Sequence, residues 1–584
     1  MEKLPVEVHT LVAKQVTSRN DLASLRGVSK HWRDVTSPVL FETLVIETNE
    51  WRMGKLDWRP YDSLKETTFE CLHLVRHFKI HAVFHSRLED RCPHGVFPGG
   101  KYEWEEDGVD ALRIEMLPLL AQLKPRALRS FRWDLGCCMP KEILGVDGHL
   151  QREQPEIESL SLNTGAPTDR NFVFKDGDYT IPPPAPLMLD GFRRLRSFSW
   201  TGARLASELE SLRVFLAANR SILETLELDF IDRNSVNHAC QTRLASDDPR
   251  VFTTHVLPLS PDPSINSFPA LTTLSLSAVC LPLNLDATVL AFDFGRLRAL
   301  KIHRCKDTHL LLRAIVHAAQ SLKLESLDLM MEDFATKQDW GGSGLTAFLQ
   351  SFNSLQQLYL SITPSGEITT EQYFESILCH ASTMKRLVYH EMAFYHPESE
   401  YPTQDKNLTL ATLDLGYGST GAMHRFMQQS GLESLGCCDS LSQLRQILES
   451  CTSTQSLKLL HIRRSKYGFE PLLRDDMIQW TVKGVVEPVG PENHSAQAIA
   501  NFELFDFVRW AFGSRGLSKL RILAFGDFSY DGRFGDKRLL FCRQRIGSPH
   551  GFRLASRENV ISLGGIDEPF DFLCACPNDP LYPK

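Results

Sequence analysis

The stretch LESLDLMMEDFATKQDWGGSGLTAFLQSFNSLQQLYL, Leu324 to Leu360, decides how the chain is read. It opens and closes on one pattern, LxxLxL, as LESLDL and LQQLYL. The second and third apolar positions of each copy, Leu327 with Leu329 and Leu358 with Leu360, are two apart and point to one face of a short strand. Between the copies, GLTAFLQSFNS carries apolar residues at helical spacing and closes on Ser and Asn, residues that end helices. Neither the strand nor the helix can bury its apolar face alone, so each unit must pack on its neighbours.

The pattern recurs along the chain. Upstream stand ILETLEL (Leu223, Leu226, Leu228), LTTLSL from Leu271 and LRALKI from Leu297. Downstream stand MKRLVY from Met384, LATLDL from Leu410, LESLGC from Leu432, LKLLHI from Leu457 and LSKLRI from Leu517, and weaker copies start at Leu128, Ile157 and Leu195. Most consecutive starts from Leu271 onward lie 22 to 31 residues apart, enough for one strand, turn and helix per unit. Over residues 126–530 the chain resembles a leucine-rich-repeat domain, which implies an α/β solenoid bent into a horseshoe, with strands inside and helices outside. The asparagine that closes the strand turn in well-formed repeats of that family is mostly replaced, by Asp229, Ser277, His303, Met330 and His390, so an irregular horseshoe is expected. The Pro-rich IPPPAPLML (Ile181 to Leu189) and the long intervals before Leu271 and Leu517 are expected to leave one rim as insertions. Residues 46–125 are expected to form a linker and N-terminal capping region, and 531–584 a C-terminal cap or tail.

The first forty or so residues follow a different period. Pro5 suits the first turn of a helix, Glu7 lies near its positive end, and Val8, Leu11, Val12 and Val16 form one apolar stripe. Asn20 or Asp21 can cap a second helix through Leu22, Leu25 and Val28, and Ser29 a third over Lys30 to Val35 that Pro38 limits. Three such helices have a poor surface-to-volume balance, so part of their apolar surface is shared with the rest of the chain or with another protein. Leu4-Pro5, Asp21-Leu22, Leu25-Arg26, Val28, Ser29-Lys30-x-Trp32, Pro38 and Leu40-Phe41 together resemble an F-box, in the form typical of fungal F-box proteins, over residues 1–45. The resemblance implies docking on a Skp-type adaptor, and through it on cullin and RING subunits that bring a ubiquitin-charged conjugating enzyme. The chain would then be the substrate-recognition subunit of an SCF-type E3 ubiquitin ligase, acting by tethering rather than by catalytic residues of its own. Leu4, Pro5, Val8, Leu22, Leu25, Val28 and Trp32 are the expected adaptor contacts and their support. Val12, Leu25 and Val28 can equally hold the helices together, and Trp32 can pack on the following strand. The alternative function is a repeat scaffold that binds the adaptor without delivering anything for degradation.

Composition supports a folded, protein-binding chain. With 42% apolar and 23% charged residues it can bury a large core, and a net charge of -8 gives no pull toward nucleic acid or anionic lipid. The 14 cysteines include the adjacent pairs Cys137/Cys138 and Cys437/Cys438, which read as small buried hydrophobes of a reducing compartment. No secretory signal or membrane-length apolar run is present, so a cytoplasmic or nuclear location is expected. His73, His77, His81 and His85 are spaced by four, as a zinc-binding helix would place them, yet Phe78 and Ile80 fit a strand and break that stripe. Gly341 to Gly344 read as a turn, and no hydrolase, redox or phosphate-loop pattern stands out, so no enzyme site, cofactor or metal is expected. Substrate recognition is expected on the concave strand face, from residues between and just after the buried leucines: Glu227, Asp229, Lys301, His303, Asp328, Tyr359, His390, Asp414, His461 and Arg463.

Overall fold

The structure, a computed structural model, describes residues 4–16, 18–48, 51–52, 55–56, 69–82, 107–136, 138–164, 186–203, 206–230, 252–259, 268–279, 281, 285–305, 307–318, 321–331, 342–362, 370–391, 420–438, 441–451, 456–463, 496–526, 528, 538–544, 551–555 and 569–575. The chain is an α/β protein with dispersed helices and one large, mostly parallel sheet of 16 strands. The curved leucine-rich-repeat horseshoe expected from the sequence is not its fold. The LxxLxL copies form strands, but what joins them is not a constant unit. The connecting helices range from the 17-residue Ala496–Phe512 to the four-residue Lys141–Leu144, and the sheet ends in two antiparallel joins. The physical reason is that the motif specifies a strand and its buried leucines only. Without the turn asparagine and a fixed connection length, nothing in it sets a repeating bend.

The described chain divides into two compact units. The first holds α1 (Val6–Gln15), α2 (Arg19–Val28) and α3 (Lys30–Leu40), then β1 (Thr43–Thr48). A separate small hairpin pairs β2 (Trp51–Arg52) with β3 (Lys55–Leu56). The parallel sheet continues through β4 (His77–Ala82), β5 (Ser130–Asp134), β6 (Ser159–Asn163), β7 (Ser197–Thr201) and β8 (Thr225–Asp229). The register stacks like on like. Leu44, Phe78, Phe131, Leu160, Phe198 and Leu226 form one row, and Ile46, Ile80, Trp133, Leu162, Trp200 and Leu228 another, all buried on one face. Phe198 meets Phe215 of the helix Ala206–Asn219 at 4.6 Å between ring centroids, which identifies this as the helix-covered face. Each such buried side chain contributes about 1.5–3 kcal/mol relative to exposure.

Two buried amides brace this unit where chain ends approach the strands. Asn219 accepts from Leu195 N at 3.2 Å and donates to Phe192 O and Phe215 O at 2.8 and 3.1 Å. Gln154 accepts from Ala127 N and Leu128 N at 3.0 and 3.1 Å and donates to Lys124 O at 3.0 Å. Asn219 ends its helix and Gln154 directly follows the helix His149–Glu153, and both reach backbone groups that have no ladder partner.

The second unit holds nearly all of β9 (Thr273–Ser277), then β10 (Ala299–His303), β11 (Ser326–Met331), β12 (Gln357–Ile362), β13 (Arg386–Glu391), β14 (Ser434–Cys437), β15 (Leu459–Ile462) and β16 (Ile522–Gly526). The antiparallel β17 (Arg538–Arg543) and β18 (Phe552–Leu554) close it. Leu300, Leu327, Leu358, Leu387, Leu435, Leu460 and Leu523 stack in one buried row. The copy at Leu410 to Leu415 lies outside the described residues. Gly342 to Gly344, expected as a turn, already form the first residues of the helix Gly342–Gln350.

Candidate functional site

The three N-terminal helices have a minimal core. Ala13, Leu22 and Val35 are buried at its centre, with Val16, Trp32, Val39 and Leu40 packed around them. Capping serines set the helix starts. Ser18, rather than Asn20 or Asp21, caps α2 by accepting from Asp21 N at 3.3 Å, and Ser29 caps α3 by accepting from Trp32 N at 3.2 Å. Pro38 does not limit α3, which runs through it to Leu40. His9, buried, and His31 share a hydrogen bond of 2.9 Å, and the His9 ring lies 5.1 Å from that of Trp32, so α1 is held to α3 by aromatic and polar contacts.

This packing uses only part of the apolar surface of α1. His9 and Ala13 face inward, whereas Val8, Leu11 and Val12 face solvent, with Leu11 62% and Val12 48% exposed against 0% for Ala13. The expected stripe of Val8, Leu11, Val12 and Val16 is therefore divided, and only Val16 joins the core. Leu4 and Val6 extend the exposed apolar surface at the start of α1, and Val28 adds an exposed residue at the end of α2. Among the expected adaptor contacts, Leu4, Pro5, Val8 and Val28 are exposed, Leu25 and Trp32 are half-buried, and Leu22 is core. Val6, Leu11 and Val12 are exposed apolar residues of α1 that expectation did not include.

In the first unit, the strand face opposite the helices is polar and reaches solvent. Its central row reads Val45, Lys79, Arg132, Ser161, Ser199 and Glu227, with Arg132 and Glu227 exposed. Beside it, Asp134 takes hydrogen bonds from Arg132 at 2.8 Å and Asn163 at 3.1 Å, and pairs with His81 at 3.0 Å. Asp229 ends β8 half-buried, its carbonyl accepting from Gly202 N.

In the second unit the equivalent face is filled. Lys301 is half-buried and Asp328, Tyr359, His303, His390, His461 and Arg463 are buried, while Asp414 lies outside the described residues. His303 Nε2 lies 2.7 Å from Asp328 Oδ1, and Lys301 Nζ lies 3.9 Å from Asp328 Oδ2. Burial lowers the His303 pKa despite that carboxylate. His461 is pushed down to about 3, first by burial and then by the charge of Arg463, and its Nε2 bonds to Gly526 O at 2.9 Å. Arg463 donates from Nε to His390 Nδ1 at 3.1 Å and from Nη1 to Ala575 O at 2.8 Å. Ala575 directly follows the short helix Pro569–Cys574, whose Phe572 and Leu573 are buried against Tyr359, Val388, Leu459, Ile522, Ala524, Phe528 and Leu540. A C-terminal segment thus covers residues that sequence periodicity alone turns outward.

His77 and His81 lie on the same face of strand β4, His73 lies in the short helical turn Phe69–Leu74, and His85 is outside the described residues. Among the described residues no group of three His, Cys, Asp or Glu is arranged to hold a metal ion, and no helix is long and apolar enough to cross a membrane. No protein-family model matches this chain, and no curated protein sequence matches it.

Proposed function

We propose that the chain is the substrate-recognition subunit of an SCF-type ubiquitin ligase, docking through its N-terminal helices on a Skp-type adaptor. The observation that carries this reading is the open apolar face of α1, formed by Leu4, Val8, Leu11 and Val12 beside a core that α3 already fills. A face of this kind, on helices that follow the F-box order of residues from Leu4-Pro5 to Trp32, suits a flat helical partner. Leu22 and Trp32 then support the contact from within, and Leu4, Pro5, Val8 and Val28 make it together with Leu11 and Val12. The polar strand face of the first unit, including Glu227 and Asp229, is the proposed place for a protein substrate. The chain contributes tethering, which raises the concentration of an acceptor lysine near the charged conjugating enzyme.

The test keeps the full chain, because removing residues through Leu44 would also cut away the first two residues of β1, including the buried Leu44. Leu11→Glu with Val12→Glu changes two exposed side chains, so the expected cost in folding stability is within about 0.5 kcal/mol each. With purified adaptor, the wild type is expected to bind and the double variant to lose at least about tenfold in affinity, as burial of charge at an interface core costs more than 1.4 kcal/mol. Unchanged binding by the variant, or no binding by the wild type, sinks the proposal. Delivery for degradation is checked separately: loss of the chain in cells lengthens the lifetime of a bound partner if it is a receptor and leaves it unchanged if it is a scaffold.

A further inference from the structure

The covered strand face of the second unit has the construction of a peptide site. Along its central row the residues become mostly aromatic, aliphatic or small: Tyr359, Val388, Gly436, His461, Ala524 and Leu540 in order. Gly436 forms a notch. A Cβ there would stand 2.9 Å from Val388 Cγ2, too close to fit without a shift, and 3.5 Å from Phe572 Cζ, so the glycine makes room for Val388 beneath the Phe572 ring. Phe572 also meets the Tyr359 ring edge to face at 6.0 Å. Arg463, buried at the end of the row, donates to the main-chain carbonyl of Ala575. Side-chain pockets that take aromatic and aliphatic anchors, with one fixed donor reading a main-chain carbonyl, are how proteins hold short segments.

The occupant is a six-residue helix and contributes no strand to the sheet, whose ladder from β10 to β18 is complete without it. Leaving would break side-chain packing, the Arg463 bond and the bond from Cys574 Sγ to Phe528 O at 3.1 Å, and no ladder hydrogen bond. We infer that this face is a binding groove for a short segment of Phe-x-Phe-Leu character, occupied here in cis by Phe570 to Ala575 and opened to a partner protein carrying the same chemistry. The covalently attached segment competes at an effective concentration in the millimolar range. A partner must therefore either bind more tightly or act when the segment is held away. This inference stands without the ligase reading, because its test needs neither adaptor nor ubiquitin.

The probe is a fluorescent peptide of residues 566–578 in reducing buffer, and the protein is the full chain with Phe572→Ala and Leu573→Ala. The variant is expected to bind the peptide saturably, at least about tenfold more tightly than the wild type, because cis competition is removed. A peptide carrying the Phe572→Ala change is expected to lose that binding. Equal binding by wild type and variant, or none by a variant with wild-type circular dichroism, overturns the proposal. Hydrogen exchange on the unmodified wild type decides the case if the variant does not fold. Amides of Phe570 to Ala575 are expected to exchange by local opening, at least about a hundredfold faster than those of β13 to β15. Equal protection would make the segment an inseparable part of the core and overturn the inference.

Discussion

Strands of the two units share one layout on the helix side and differ on the other. In the first unit the row Lys79, Arg132, Ser161, Ser199 and Glu227 is wet, and in the second the corresponding row Tyr359, Val388, Gly436, His461 and Ala524 is dry under the C-terminal segment. The difference teaches that a parallel strand can be half-buried or fully buried with no change in its leucine pattern. The open polar face is the one proposed above for a folded partner, and the filled apolar face is the one on which Phe572 and Leu573 pack.

The sharpest test exchanges neighbours on opposite faces. Phe198→Ala, on the helix side of the first unit, is expected to cost about 3–5 kcal/mol, the usual range for a fully buried phenylalanine. Ser199→Ala, one residue on, is expected to stay within about 0.5 kcal/mol. At the equivalent position of the second unit, Val388→Ala is expected to cost on the order of 1–3 kcal/mol, because it empties volume beneath Phe572. Urea unfolding of the three variants measures this, and a Val388→Ala effect as small as that of Ser199→Ala would erase the distinction between the faces.

Asn219→Ala comes next. It would leave Leu195 N, Phe192 O and Phe215 O without their side-chain partner in a buried turn, at an expected cost of about 2–4 kcal/mol in total given about 1–3 for each unsatisfied group and partial relaxation. Asn219→Asp keeps the acceptor for Leu195 N but loses both donations and buries a charge, so it is expected to be no better than Ala. Thermal unfolding ranks the pair, and an Asp variant near wild-type stability would show that this turn is open to water.

Much of this was legible in the residues, and the limits have physical causes. Leu327 with Leu329 and Leu358 with Leu360 announce strands because period two admits no other regular element. The horseshoe did not follow, because the motif is silent on what joins the strands and the turn-closing asparagine is mostly replaced. His9 and Ala13, neither strongly apolar, are what α3 packs against, so apolar pattern alone could not divide the α1 stripe into covered and open halves. Tyr359, His461 and Arg463 alternate with the stacked leucines, as expected of an outward-looking face, yet all three are buried. Their burial depends on a segment more than a hundred residues distant from the nearest of them. One signal was available: between Gln357 and Ala524 the non-leucine positions turn from charged and hydroxylic to aromatic and aliphatic, which is how a strand reads when both faces are covered.

Acidification separates the units by a smaller margin. His461 is neutral in the fold, with its pKa depressed to about 3, and titrates at its ordinary value of 6.5 when unfolded. Above pH 6.5 both states are neutral and nothing changes. Below it the unfolded state binds the extra proton, so stability falls as pH drops through the window from 6.5 toward 3. One such histidine costs about 1.4 kcal/mol by pH 5.5. Burial lowers His303 and His380 in the same direction within the second unit, and His149 in the first. His461→Gln, which keeps a donor for Gly526 O, is expected to flatten the slope of unfolding free energy between pH 6.5 and 5.5 by up to one proton. An unchanged slope would mean that His461 is protonated in the native state.

The smallest effect is one in which the units should not differ. Opposite charges stand just before several neighbouring strands, and the cross-strand pairs Arg129–Glu158 and Arg196–Glu224 in the first unit are matched by Arg298–Glu325 and Glu433–Lys458 in the second, at 2.6–3.1 Å. These pairs lie along the strand starts, where side chains remain largely exposed whatever covers the strand face. Exposed pairs contribute about 0.2–1 kcal/mol and are screened by salt. Glu158→Gln and Glu433→Gln are therefore expected to destabilise by similar amounts at low ionic strength and by still less at 1 M salt. Lys458 is the least exposed cation of the four pairs, so any excess should fall on Glu433→Gln. If instead Glu433→Gln costs several kcal/mol and keeps that cost in high salt, burial in the second unit extends from the strand face to the strand starts. The contrast between the units would then belong to the whole strand and not to the one face that the C-terminal segment covers.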